Sequence, residues 1–171
     1  HAEAYFYKGV SLASLGRHDD AIIALNKTLD LDAANSQAYY QKGLSLAATG
    51  RREDAIQAFD RTLELEPRST ETLLHRGSEL IQLGRYNDAI ESFIRILEVD
   101  ATNAEAWYLK GSALFALDGF EDAIEAFNRA LEIRPDYVSA HYEKGKALSR
   151  LGMHTEAVLS FDNALSFQPK F

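Results

Sequence analysis

The chain has 171 residues, 46% of them apolar and 26% charged, a globular composition that excludes disordered and collagen-like classes. A formal net charge of -8 argues against a nucleic-acid partner, whose phosphates require clustered Lys and Arg, and the absence of cysteine excludes disulfides, thiolate zinc sites and thiol catalysis. No apolar run reaches the roughly 18 residues of a membrane span, so no membrane partner is expected.

Taken in chain order, the glycines define the organisation. Gly9 and Gly16 open a pattern that recurs at Gly43 and Gly50, Gly77 and Gly84, Gly111, and Gly145 and Gly152, with a period of 34 residues. Only the fourth unit breaks step, where Asp118 takes the second glycine's place and Gly119 follows one residue late. Pro67, Pro135 and Pro169 keep the same register, with Ala33 and Ala101 in the corresponding places. Five units result, over 2-35, 36-69, 70-103, 104-137 and 138-171. The first residue is His1, and the chain is expected to be a piece excised from a longer protein. A cysteine-free sequence leaves the compartment open, the cytoplasm being the default expectation.

Each unit predicts two helices. In the first unit Tyr5, Gly9 and Leu12 form an i, i+4, i+7 stripe, repeated as Tyr39, Gly43, Leu46; Leu73, Gly77, Leu80; Trp107, Gly111, Leu114; and His141, Gly145, Leu148. The second glycine suits a left-handed helix cap, and Asp118 tolerates that conformation at modest cost. The second helices open on acids such as Asp19, Asp20, Glu53, Asp54, Glu121 and Asp122, which complement the exposed amides of a helix start. An apolar face follows, Ala55, Ile56, Phe59, Leu63 and Leu65 in the second unit and Ala123, Ile124, Phe127, Leu131 and Ile133 in the fourth. A glycine inside a helix costs about 0.5 to 1 kcal/mol, so its recurrence predicts close approach of the partner helix, with Ala21, Ala55, Ala89, Ala123 and Ala157 opposite and the Phe rings in the wedge beside them.

With these residues the pattern resembles the tetratricopeptide repeat (TPR) family, whose 34-residue signature runs W-x2-L-G-x2-Y, A-x3-F and a proline. Trp107, Gly111, Leu114, Ala123, Phe127 and Pro135 follow it best, while Lys8, Lys42, Arg76, Lys110 and Lys144 replace the signature's first Leu. The resemblance implies an all-α fold, a right-handed superhelical α-solenoid of antiparallel helix pairs, and a single array over 1-171. The basic ladder is expected at the seams between units, with aliphatic stems packed and charged heads reaching solvent or a nearby acid.

No constellation of catalytic residues emerges. His1, His18, His75, His141 and His154 are scattered, with no zinc-ligand spacing, and no nucleophile elbow or phosphate-binding glycine motif occurs. No enzyme activity, metal or cofactor is expected from this segment.

A second stripe on the first helices remains for a ligand: Phe6 and Val10; Tyr40 and Leu44; Leu74, Ser78 and Ile81; Tyr108, Ser112 and Phe115; Tyr142 and Lys146. The resemblance implies that these residues line a concave groove for a protein or peptide. The rings either present a row to that ligand or pack between adjacent units. Glu3, Glu71 and Glu105 lie at the helix starts, whereas Lys146 and Arg150 share a face at the end, so a ligand with a basic portion first and an acidic group last is expected. Val10 and Gln41 stand where chaperone-carboxylate-binding relatives carry Asn, which disfavours that subtype. The asparagine ladder of other superhelical relatives is replaced by Tyr7, Gln41, His75, Leu109 and Glu143, of which Gln41 and His75 retain backbone-bonding capacity. The alternative to this scaffold is a structural module that stacks end to end through its terminal units, exposing Val158, Phe161, Leu165 and Phe167.

Overall fold

The computed structural model describes residues 1-167, and Pro169 and Phe171, which complete the expected fifth unit, lie outside the described residues. The described residues form helices and turns without strands. The chain divides into two compact units, His1–Gly84 and Arg85–Phe171, a boundary that falls between the two helices of the third repeat.

The first unit contains α1 (Ala2–Ser14), α2 (His18–Leu31), α3 (Ser36–Ala48), α4 (Arg52–Leu65) and α5 (Thr70–Gln82). The second contains α6 (Tyr86–Val99), α7 (Ala104–Ala116), α8 (Phe120–Ile133), α9 (Val138–Arg150) and α10 (His154–Ser166). Within the first unit α1 packs on α2 and α3 on α4, and the pairs stack through α2 on α3 and α4 on α5. The second unit repeats this with the pairs α7/α8 and α9/α10, stacked through α6 on α7 and α8 on α9. This is the expected all-α solenoid arrangement of helix pairs. First helices also touch one another, α1 with α3, α3 with α5, and α7 with α9, with no comparable contact from α2 to α4 or α8 to α10. Each unit therefore curves with its first helices on the inner side.

The recurring glycine is a steric requirement. A Cβ at Gly43 would lie 2.5 Å from Cε1 of Phe59, and one at Gly111 would lie 2.7 Å from Cε1 of Phe127. The ring itself, not the alanine four residues before it, is thus the group pressed against the glycine. Ala55 and Ala123 are nonetheless fully buried. Two residues of the expected apolar faces, Leu65 and Ile133, sit near the helix ends and are exposed.

The tight turn inside the first, second, fourth and fifth repeats is a Schellman closure. In the first repeat Gly16 N–H donates to Ala13 C=O at 2.9 Å and Arg17 N–H to Leu12 C=O at 2.9 Å, with Gly16 at φ 74°. In the fourth, Asp118 adopts φ 59° and donates to Phe115 C=O at 3.0 Å, while Gly119 N–H donates to Leu114 C=O at 3.0 Å. Asp118 therefore holds the left-handed position expected from the glycine register. Asp118→Gly should raise the stability of the second unit by about 0.5 to 1 kcal/mol, since only glycine enters this region without steric cost, offset in part by loss of the Arg150 contact. Urea denaturation at neutral pH measures the change, and a lower midpoint would contradict it.

The capping chemistry alternates. Asn35, Ser69 and Asn103 accept from the amides of Ala38, Thr72 and Ala106 at the starts of α3, α5 and α7. The described second helices lack such a side-chain cap, and an arginine just before three of them clamps an acid in the first turn, as in Arg17 with Asp20 at 2.6 Å, Arg51 with Asp54 at 2.7 Å and Arg85 with Asp88 at 2.6 Å. These acids complement the helix dipole, although such exposed pairs contribute little individually.

Candidate protein-binding surface

On the inner side of the first unit, Phe6, Val10, Leu44, Leu74, Ser78 and Ile81 are half-buried. Their helices present them in register because the period of 34 residues returns each position to the same face. Gln41 and His75 are also half-buried there. Tyr40 differs, being only 6% exposed. Its ring lies 6.2 Å from that of Phe59 and 5.9 Å from that of His75, and its hydroxyl donates to Glu71. Burial, followed by the Glu71 hydrogen bond and charge, pushes the phenol far above the ordinary tyrosine range. Tyr40 thus packs between adjacent repeats, the second of the two roles open to it from sequence. Glu71, expected to project toward a ligand, is the acceptor that satisfies this buried hydroxyl.

In the second unit Tyr108, Ser112 and Phe115 are half-buried, and Tyr142 is 51% exposed. Tyr108 stacks beside Tyr137, 4.9 Å between centroids, and 6.0 Å from Phe127. The Arg134 guanidinium lies 3.3 Å from the centre of the Tyr137 ring. Burial, together with the Glu105 charge, raises the Tyr137 hydroxyl against the opposing pull of Arg134. The two cations expected to receive an acidic group are internally matched. Lys146 donates to both oxygens of Glu143, at 3.0 and 2.8 Å, and its ammonium lies 5.0 Å from the Phe115 ring. Arg150 donates to Asp118 at 3.2 Å and stands 4.5 Å over Phe120. The expected charge polarity is therefore weakened at this end, and what remains is an aromatic surface rimmed by compensated charge.

The basic ladder meets different surroundings at the steps of Arg76, Lys110 and Lys144. Arg76 donates to Asp60 across the α4–α5 seam at 2.6 Å, Lys110 places its ammonium 4.9 Å from the Trp107 ring, and Lys144 is held below its ordinary range by burial. A second set of seam residues was not singled out from sequence. Arg52 of α4 donates to Glu79 of α5 at 2.7 Å. One repeat earlier the same two positions hold His18 and Ser45, whose Nδ1 and Oγ are buried without a hydrogen-bond partner. An offset of 27 residues between a second-helix start and the next first helix is the signal that links both pairs.

Comparison with known families agrees with the repeat pattern. Residues 74–138 and 111–170 match a model described as tetratricopeptide repeat. The chain belongs to the tetratricopeptide repeat family. Residues 14–96 of this TPR chain also match a model described as anaphase-promoting complex, cyclosome, subunit 3. No curated protein matches the sequence. Among solved structures, the TPR chain is similar to a crystal structure of MamA at 27% identity and a TM-score of 0.89, covering 93% of each chain. Another MamA crystal structure is similar at 26% identity and a TM-score of 0.92, covering 97% of this chain and 91% of that one. MamA residues 41 to the end from Desulfovibrio magneticus RS-1 is similar at 23% identity and a TM-score of 0.91, covering 97% and 94%, a likeness in fold alone. Among the described residues no helix is long and apolar enough to cross a membrane.

Proposed function

We propose that this TPR protein is an interaction scaffold that holds a peptide or protein segment against the inner faces of its first helices. The observation that supports this most is the half-buried apolar stripe in each unit, Phe6, Val10, Leu44, Leu74 and Ile81 in the first and Tyr108 and Phe115, beside the exposed Tyr142, in the second. These side chains stand where the fold curves inward, and contiguous apolar surface of this kind serves association. Gln41, Ser78, His75 and Ser112 intersperse the stripe with hydrogen-bonding groups for an extended backbone. Tyr40 supports the surface from beneath, and Lys146 and Arg150 with their acids border it.

A photocrosslinking residue tests the surface without perturbing its charge. Placed at Leu44 or Ser112, it should capture one protein partner on illumination, whereas at Gln57, exposed on α4, it should capture none. Equal capture from the two sides would remove the inner face as the binding surface.

A further inference from the structure

The cleft between the two helices of the second repeat gathers cations in a chain whose acids outnumber Lys and Arg by 26 to 18. Its floor is apolar, Leu46 and Ala58 being 1% and 5% exposed. Its walls are the half-buried Tyr39 and Lys42 of α3 and, along α4, Arg51, Asp54, Gln57 and Arg61. Three cations thus face one acid. Both walls are interior to the first unit, since α2 packs on α3 and α5 on α4. None of the inner-face stripe lines this cleft.

The three cations keep donors in reserve. Arg51 directs Nε and Nη2 at a single oxygen of Asp54, at 3.0 and 2.7 Å, which leaves Nη1 for a ligand. Arg61 pairs with Glu64 through Nη1 and sets its guanidinium 5.8 Å from the centre of the Tyr39 ring. Lys42 has no ion-pair partner among the described residues. Both arginine pairs are about half exposed, and pairs of that kind are weak enough for an incoming anion to compete with them. The repeat itself does not require this set. In the fourth repeat the same cleft is lined by Trp107, Lys110, Asp122 and Glu125, one cation against two acids. Gly119 and Glu125 stand there at the places of Arg51 and Gln57, and the Lys110 ammonium already rests 4.9 Å from the Trp107 ring.

We propose that the second-repeat cleft is a binding site for a small polyanion, a phosphate ester or a polycarboxylate, held by Lys42, Arg51 and Arg61. The guanidinium forks match the paired oxygens of either group, and the ammonium adds a point charge from α3. The Gln57 amide supplies a further donor. The apolar floor keeps water from one side of the ligand and strengthens each charged contact. At about 270 Å³ the cleft falls below the roughly 300 to 1,000 Å³ of drug-sized sites, a size that fits one compact anion. The site shares no residue with the inner-face stripe and goes beyond that binding surface.

Amide NMR of the 171-residue chain, titrated separately with pyrophosphate and with citrate at constant ionic strength, tests the site. The Arg51 and Gln57 amides should shift saturably, and the Trp107 indole N–H should not. Site-resolved shifts also separate this cleft from the one between α1 and α2, which carries Lys8, Arg17 and Lys27. Tighter binding of pyrophosphate assigns the site to phosphate esters, and tighter binding of citrate assigns it to polycarboxylates. Lys42→Glu/Arg61→Glu should weaken binding by about tenfold or more, because charge-assisted hydrogen bonds become like-charge contacts. Gln57→Glu imports the acid of the fourth repeat at an exposed position, and it should weaken binding comparably with helicity and melting unchanged. Lys110→Glu should leave binding as it is. Absence of saturation at Arg51 and Gln57 overturns the proposal. So does an affinity indifferent to Lys42→Glu/Arg61→Glu and to Gln57→Glu.

Discussion

Phe127→Ala should destabilise the second unit by about 3 to 5 kcal/mol, the range for removing a fully buried aromatic ring. The ring is completely inaccessible, and on one side it meets Gly111, which has no side chain to move into the space left behind. Helical backbone cannot collapse around a single residue, so most of the void should persist. The glycine gives the prediction a second arm. In the native background Gly111→Ala introduces a Cβ at 2.7 Å from the ring, and overpacking of about 1 to 3 kcal/mol exceeds or cancels the gain of about 1 kcal/mol in helix propensity. In the Phe127→Ala background the clash is gone and the same substitution should stabilise. Urea denaturation of the four proteins measures the cycle, and independent effects of the two substitutions would contradict direct ring-on-glycine packing.

Tyr40→Ala should cost about 3 to 5 kcal/mol as well, in the first unit, through lost ring burial and a Glu71 carboxylate deprived of its donor. Tyr40→Phe retains the ring and should cost about 1 to 2 kcal/mol at neutral pH. The two variants also differ in alkaline behaviour. Because the folded state holds the Tyr40 hydroxyl above the ordinary value of about 10, its contribution is complete below that pH and is lost as pH rises toward the folded value. Wild type should therefore lose more stability than Tyr40→Phe between neutral pH and pH above 10. Parallel losses would show that the hydroxyl is not held neutral by burial and Glu71.

Tyr40 marks the limit of what the sequence of a single repeat determines. The 34-residue register located the described helices, both glycine roles and the unusual Asp118 turn, because each depends on residues within one repeat. Tyr40, Tyr108 and Tyr142 share one repeat position yet range from nearly inaccessible to half exposed. Their fates are decided by the following helix. Glu71 and His75 of α5 cover Tyr40, Tyr137 before α9 covers Tyr108, and no helix follows α10 among the described residues. The basic ladder behaves alike. Arg76 finds Asp60, while Asn128 occupies the corresponding place before the partly desolvated Lys144. A consensus compares equivalent positions, whereas a seam joins non-equivalent positions of neighbouring repeats. The inner-face stripe was legible as a face, and the division between its supporting and presenting residues required the neighbours.

That division selects the substitutions for the functional test. Ser78 and Ser112 lie on the inner face, half-buried and outside the ring packing. Their hydroxyls bond only the preceding turn, to Leu74 and Tyr108 carbonyls at 2.9 and 3.0 Å. The most direct measurement is capture of partners from an extract of the source cells by wild type, by Ser78→Arg/Ser112→Arg, and by Gln57→Arg/Asn87→Arg, which adds the same charge to exposed sites on α4 and α6. The inner-face account predicts a protein retained by wild type and the outer-face variant and lost from the inner-face variant, with all three equally helical. A partner retained by the inner-face variant, or lost from both variants alike, would contradict it.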